Sequence, residues 1–580
     1  MLKNILENIK NNKVANTLKN SIIIIGIFLV PQIISIYLYQ GIPRDIGAGV
    51  LIYISLISIV ILMTKKASFS FILVNILEYF FAIISYIKLE TRWQVFEPWD
   101  LTFVSNAGDF ISFDAITLTM IAKVLGGGVI TAATTFLQIE LFKKYCAIPS
   151  KKISKIVLGL IAIMSILFFS KFYIKLEMKY VYTNENGYNN FSPYKKVMNY
   201  SALGNFIIDI ALMDIKEEPK EYSEDKMKGL FEKYIEVEFD GNAQEYDNVI
   251  VVLLESFVDV TKIKELTFKK DPLSNFHKYA NETNSGWSNV TNIGGGTSNI
   301  EYQALTMFSV GQYPEGIYPY IHCIKNNINV LPQIFKENGY ETTGIHPFNK
   351  GFYSRDSVYP YMGIEKFISD EDFENPIYEN NYISDMESYK KIVELIENEE
   401  KSFITLSTMA THPTYSGFYF EEYDEWIENE KLTQNTTIML NNYLQKLRNA
   451  DKMLGKLIEY VNDTEEKTLL IVYGDHYPLM YGVYKQLGMI PMKEKDITSQ
   501  KYPELFKMPY MVISNCEEIE VDENVTPAEF GIHILENVEL SNIPWYYKVV
   551  YDYQKTGENY DDYIMIQYDE IFGKKYWKNF

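Results

Sequence analysis

An α-helical membrane domain of five transmembrane helices, followed by an α/β domain with a mostly parallel central sheet, is the architecture that this 580-residue sequence predicts. Three observations predict it. Five long apolar runs crowd the first 175 residues. Further on, short apolar runs of strand length alternate with amphipathic stretches of helical period. The charge divides at the same place: up to Lys175 there are 17 Lys+Arg against 9 Asp+Glu, and the remainder carries 37 against 66, a net of -29. This split excludes a uniformly soluble protein and also a pure membrane channel. An acidic outer part repels phosphate backbones, so no nucleic-acid partner is expected.

The apolar runs are Ser21–Tyr39, Ile46–Met63, Phe69–Ile87, Val124–Phe142 and Ile156–Ile174. Each has about 18–20 residues, enough to cross roughly 30 Å of hydrocarbon. Lysines cluster before the first run, between the second and third (Lys65, Lys66), and between the fourth and fifth (Lys143, Lys144, Lys151, Lys152, Lys155). The positive-inside bias then places the N-terminus in the cytoplasm and everything after the fifth span outside a multi-pass cell-membrane protein. Glu78, inside the third run, is expected to meet either another helix or a lipid headgroup or substrate. Residues 1–175 form the membrane domain in this reading, 176–246 a linker with short helices, and 247–580 the outer domain.

Within the outer domain, Asn248–Phe257, Thr342–Ile345, Phe403–Leu406, Thr468–Tyr473 and Tyr510–Ile513 read as buried strands. Val330–Asn338, Glu387–Glu399, Leu440–Val461 and Ala528–Glu536 read as helices between them. Ligands of such sheets sit beyond the carboxyl ends of the strands. That rule singles out Glu255, His346, His412 and the pair Asp475-His476, all at or just past expected strand ends. His277, His322 and His533 fall elsewhere and read as structural or surface residues. Cys146, Cys323 and Cys516 are too few and too scattered for a disulfide framework.

Asn292–Glu301 reads NIGGGTSNIE and leads into a helical pattern, with Thr297 at its start. Glycines followed by free helical N–H groups favour an anion such as phosphate, although an ordinary capped turn has the same composition. Glu255, Asp475 and His476 offer donors suited to Mn²⁺, Mg²⁺ or Zn²⁺. Coordination of that kind would make the Thr297 alkoxide accessible for attack on a phosphate ester.

The five runs, VVLLESF, GGGTSNIEYQALT, THP, VYGDHYP and the C-terminal QYDEIFGKKY together resemble the lipoteichoic acid synthase family, membrane phosphoglycerol transferases of the alkaline phosphatase/sulfatase superfamily. The resemblance implies a sulfatase-like fold for 247–580. It implies a divalent metal, Mn²⁺ first, held by Glu255, Thr297, Asp475 and His476, with Thr297 as nucleophile. It further implies phosphatidylglycerol as donor, a glycolipid or polymer as acceptor, other wall-synthesis proteins as partners, and a headgroup pocket of His412, Arg355, Tyr353, Asn349 and His346. The turn reads GGGTSN where the commoner family form is GKTSD, and Tyr353 stands where the best-known form has Trp. Alternatives are a related sulfatase or phosphodiesterase, a phosphoethanolamine transferase, and an inactive glycolipid-binding receptor. Cys323 lacks the C/S-x-P-x-R context from which sulfatases make their nucleophile.

Overall fold

The computed structural model describes residues 29–39, 46–92, 95–98, 100–101, 117–145, 201–212, 218–313, 317–415, 426–428, 431–494 and 497–580. The chain divides into two compact units, Met1–Asp214 and Ile215–Phe580. In the first, α1 (Val30–Tyr39), α2 (Ile46–Thr64), α3 (Ala67–Arg92) and α4 (Leu118–Tyr145) take up the first four apolar runs, and α5 (Ala202–Leu212) follows. Two stretches, Ala67–Glu90 and Leu118–Lys144, are long and apolar enough to cross a membrane. Among the described residues these are two of the five expected spans, and Ile52–Thr64 within α2 is a shorter apolar stretch. Part of the first run, all of Ile156–Ile174 and half of the loop between the third and fourth runs lie outside the described residues.

Polar side chains in so apolar a unit must find one another. Tyr53 Oη donates to Asn75 Oδ1 at 2.5 Å, and Asn75 Nδ2 donates to Gln138 Oε1 and to Thr135 Oγ1, both at 2.8 Å. Buried Glu78 accepts from Ser201 Oγ at 3.2 Å, so its partner is the residue just before α5.

The second unit is built on an eight-stranded sheet. Its strands are β1 (Asn248–Leu254), β2 (Ser285–Asn289), β3 (Glu341–Ile345), β4 (Lys366–Ile368), β5 (Ser402–Ser407), β6 (Thr468–Gly474), β7 (Lys507–Ser514) and β8 (Asn524–Val525). They lie in the order β8-β2-β7-β6-β1-β5-β3-β4, and β7 alone runs antiparallel to its neighbours. The central strands β1, β5 and β6 are buried along their whole length, as covering helices on both faces require. In register, Leu254 pairs with Gly474 and Leu253 with Ser407, so the carboxyl ends of β1, β6 and β5 open at one edge. The helices that matter below are α6 (Glu224–Tyr234), α7 (Thr297–Thr306), α8 (Leu331–Glu337), α9 (Asp385–Asn398), α10 (Gln434–Asp463), α11 (Phe530–Asn537), α12 (Tyr547–Thr556) and α13 (Tyr560–Ile571).

The second half of the expected linker is part of this unit. Ser223 caps α6 by accepting from Lys226 N, Lys233 pairs with Asp562 of α13 at 2.7 Å, and Tyr222 donates to Asp569. Aromatic and charged residues scattered through a polar segment gave no sign of these contacts.

His277 lies away from the strand ends. Its ring nitrogens reach Asp259 Oδ2 at 3.4 Å and Asp271 Oδ2 at 2.8 Å, and the hydrogen bond to Asp259 leads in pushing its pKa up to about 9. A raised folded-state pKa contributes stability that is complete below about pH 6.5 and is lost as pH rises through about 9. His277→Gln should therefore lower the thermal midpoint at pH 6 and match the parent at pH 10. A deficit that persists unchanged at pH 10 would rule out the ion pair as its cause.

Candidate active site

β1 ends in Leu254, three residues before the expected Phe257, because the chain turns sharply through Glu255 and Ser256. Ser256 adopts φ +49°, a conformation that a non-glycine residue holds only when its surroundings fix it. Here its amide donates to Asp475 Oδ1 at 2.7 Å and its hydroxyl donates to Glu255 Oε1 at 2.9 Å. Thr408 Oγ1 accepts from Glu255 N at 2.9 Å, and the Thr411 hydroxyl donates to Glu255 O. The carboxylate is thus aimed by its own backbone.

β6 delivers the partner pair. A Cβ on Gly474 would lie 2.2 Å from Phe257 O, so only glycine lets the two strand ends approach. Asp475 Oδ1 accepts from Ser256 N and His476 N, both at 2.7 Å, while the buried Oδ2 has no hydrogen-bond donor among the described residues. His476 Nδ1 lies 3.1 Å from Tyr477 O. A proton there leaves the Nε2 lone pair facing Asp475 Oδ2 at 3.2 Å and Glu255 Oε1 at 3.8 Å. One ligand atom from each of Glu255, Asp475 and His476 falls within 4.8 Å of the others, and all three residues are buried. Burial, followed by the Asp475 charge, pushes the Glu255 carboxyl well above the usual carboxylate range. Two enclosed acids, one with an orphaned oxygen, beside an imidazole lone pair fit a divalent cation.

Thr297 completes the cluster as the first residue of α7. Gly296 before it has φ +90°, and a Cβ there would fall 1.8 Å from Asn292 Nδ2. Thr297 is 6% exposed, and its Oγ1 donates to Glu255 Oε2 at 3.1 Å. Four residues expected on one metal therefore meet in space, from three separate segments.

The expected headgroup residues divide. His346 is buried, with Nδ1 2.9 Å from Ser407 O and Nε2 without a partner among the described residues. Burial and then the Arg355 charge hold its pKa well below the ordinary value, so the ring is neutral. His412 is half-buried, with Tyr382 Oη 3.0 Å from its Nδ1. Asn349 is exposed, and its Oδ1 accepts from Gly351 N at 2.8 Å in a local turn. Tyr353 is buried at φ +56°, beside Tyr318 at 5.3 Å between ring centroids.

Arg355 departs from expectation. Its fork, read as free for a headgroup, is 0% exposed and holds Glu301 Oε2 through Nε at 3.1 Å and Nη2 at 2.6 Å. Nη2 also donates to Ser407 Oγ at 3.2 Å, and Nη1 to Phe352 O at 3.4 Å. The other Glu301 oxygen accepts from Tyr359 Oη at 2.6 Å and Tyr320 Oη at 3.1 Å. The reason is local: Tyr353 and Ser354 both take positive φ, +56° and +60°, in the turn that leads into Arg355. Glu301 was the missing residue. It stands one helical turn after Thr297, but its partner is 54 residues away in sequence.

Residues 247–536, half of the chain, match the sulfatase family. A Rhizobium meliloti protein assigned to cyclic beta-1,2-glucan modification is 27% identical over 363 residues, covering 57% of this chain and 55% of that protein. Lipoteichoic acid synthase 2 of Bacillus subtilis is 25% identical over 340 residues, covering 54% and 49%. The chain thus spans about half the length of these curated relatives. Among solved structures, the phosphoglycerol transferase GacH of Streptococcus pyogenes, in complex with sn-glycerol-1-phosphate, superposes with a TM-score of 0.54 at 22% identity, covering 63% of this chain and 98% of that one. That similarity shows a shared fold. The family match spans half of the chain, and the buried Glu-Asp-His cluster lies inside it: the chain belongs to the sulfatase family.

Proposed function

We propose that this protein is a metal-dependent phosphoglycerol transferase that moves glycerol phosphate from phosphatidylglycerol, through a phospho-threonine at Thr297, to a glycolipid-anchored acceptor. One observation carries the reading: the Thr297 hydroxyl starts a ten-residue helix and sits 3.1 Å from a carboxylate of the Glu255-Asp475-His476 cluster. Glu255, Asp475, His476 and Thr297 would hold the cation, Mn²⁺ first and Mg²⁺ or Zn²⁺ as alternatives. When bound, it would ease ionisation of the hydroxyl and offset phosphoryl charge. The lipoteichoic acid synthases among the relatives and the glycerol phosphate complex of the structural neighbour support the same substrate class.

The residues then have separable tasks. Thr297 Oγ1 forms the new bond to phosphorus as the phosphorus–oxygen bond to diacylglycerol breaks. The threonine loses its proton and the diacylglycerol oxygen gains one. An acceptor hydroxyl reverses these steps in the second half-reaction and frees Thr297. Backbone N–H groups of the first turn of α7 face developing negative charge on the phosphoryl group. Neutral His346, with Nε2 as an acceptor, suits a glycerol hydroxyl, and His412 offers a second contact; Tyr353 and Asn349 frame the same segment. Arg355 stands behind the pocket, where it fixes Glu301. The membrane unit would keep this site near its lipid donor, with the N-terminus cytoplasmic and the second unit outside.

The test is donor choice. Purified full-length protein with Mn²⁺ should release diacylglycerol from fluorescent phosphatidylglycerol, and a chelator should stop it. Release from phosphatidylethanolamine alone would reassign the donor to the phosphoethanolamine class. No release from either lipid would contradict the proposal.

A further inference from the structure

Helix α10 carries a polar stripe on its buried side. Asn442, Lys446 and Asn449 fall at i, i+4 and i+7, one face of a helix, and Asn442 and Lys446 are 0% exposed. Asn442 Nδ2 donates to Tyr415 O at 2.9 Å, Lys446 Nζ to His412 O at 2.8 Å, and Asn449 Nδ2 to Glu379 Oε2 at 2.7 Å. The stripe therefore grips the 412–415 turn at both ends. From another side, Tyr382 Oη lies 2.7 Å from Pro413 O and 3.0 Å from His412 Nδ1. The Lys446 ammonium lies 5.1 Å from the Tyr382 ring centroid and 5.7 Å from that of Tyr415. The turn is also tied to the metal-ligand segment: Tyr415 Oη donates to Thr411 O at 2.9 Å, and the Thr411 hydroxyl donates to Glu255 O.

Lysine is among the residues least often fully buried, because removing its charge from water is costly. Burial lowers this amine to about 8, and Glu379, Asp385 and Glu255 oppose the shift, so it is still mostly charged at neutral pH. An aliphatic side chain would fill the same volume without that cost. Among the contacts that the lysine adds is a hold on the His412 carbonyl.

We infer that Lys446 is a positioning residue of the transfer site: by gripping the His412 carbonyl, it fixes the imidazole relative to the Glu255 end of the metal cluster without touching substrate. Placing His412 at the headgroup rests on the phosphoglycerol-transferase reading; the grip itself does not.

The test uses the full-length protein with Lys446→Met, and Tyr382→Phe as a second variant that keeps the ring and removes only the hydroxyl. Two quantities are read. The first is the imidazole Cε1–H NMR spectrum, tractable with only six histidines. The second is KM and kcat for diacylglycerol release from phosphatidylglycerol. The His412 resonance should move in both variants while those of His277 and His533 stay in place. KM should rise roughly 10- to 100-fold, the scale of one charge-assisted hydrogen bond, with kcat changed far less. Should Lys446→Met fail to fold, Lys446→Gln, whose shorter side chain stops short of the His412 carbonyl, carries the same expectations. An unmoved His412 resonance, or equal losses in kcat with no change in KM, overturns the positioning role. Parent protein that releases no diacylglycerol defeats the transferase reading instead, and the resonance still decides the grip.

Discussion

Thr297→Ala is expected to lower turnover by roughly 10⁴- to 10⁶-fold, the scale seen when a covalent nucleophile is removed. Little else should change. Alanine is the best helix former and suits the first position of α7, and among the described residues the hydroxyl makes one hydrogen bond, to Glu255 Oε2. Glu255, Asp475 and His476 keep their mutual distances and should keep the metal. Thr297→Ser should retain much of the activity because it keeps the oxygen. Diacylglycerol release and metal content, measured on the same samples, check both parts. Normal turnover in Thr297→Ala would remove the covalent mechanism.

Arg355→Met is expected to be among the most destabilising substitutions in the second unit, by about 3–5 kcal/mol, the cost of leaving a buried charge without its partner. Glu301 is 1% exposed and would keep only the hydroxyls of Tyr320 and Tyr359. The Arg355→Met, Glu301→Gln double variant should recover part of that loss, since both charges leave together. Activity should fall in the single variant even where it folds, because Glu301 anchors α7 one turn below Thr297. Thermal midpoints of the single and double variants check this. A single variant as stable as the parent would mean that the guanidinium is held by something other than the acid.

The parts of the site that lie at strand ends could be read from the sequence. An apolar run of strand length that stops at an acid, as at Glu255, or at Gly474-Asp475-His476, states both the strand and its polar end. The three-glycine turn before Thr297 was legible for the same reason: only glycine supports that backbone. Directions and pairings were not. Tyr510–Ile513 reads as a strand, yet nothing in it says that β7 runs antiparallel, and β2, SGWSN, has no apolar alternation at all. The Glu301–Arg355 pair joins residues 54 apart, which a local pattern cannot show. Lys446 did leave a signal. It falls in line with Ala450, Met453 and Leu457, all buried, so a charge sits where an apolar helical face begins, one turn after Asn442. The membrane half was legible as apolar runs, and among the described residues two of them form helices long enough to span.

A covalent phosphoglyceryl-threonine can be trapped by rapid quenching. Full-length protein with Mn²⁺ and phosphatidylglycerol, but no acceptor, is stopped in acid, digested and analysed by peptide mass spectrometry. The peptide containing Thr297 should carry one glycerophosphoryl group, present with metal and absent with chelator. An unmodified Thr297 under conditions that release diacylglycerol, or the group on any other residue, would contradict the account.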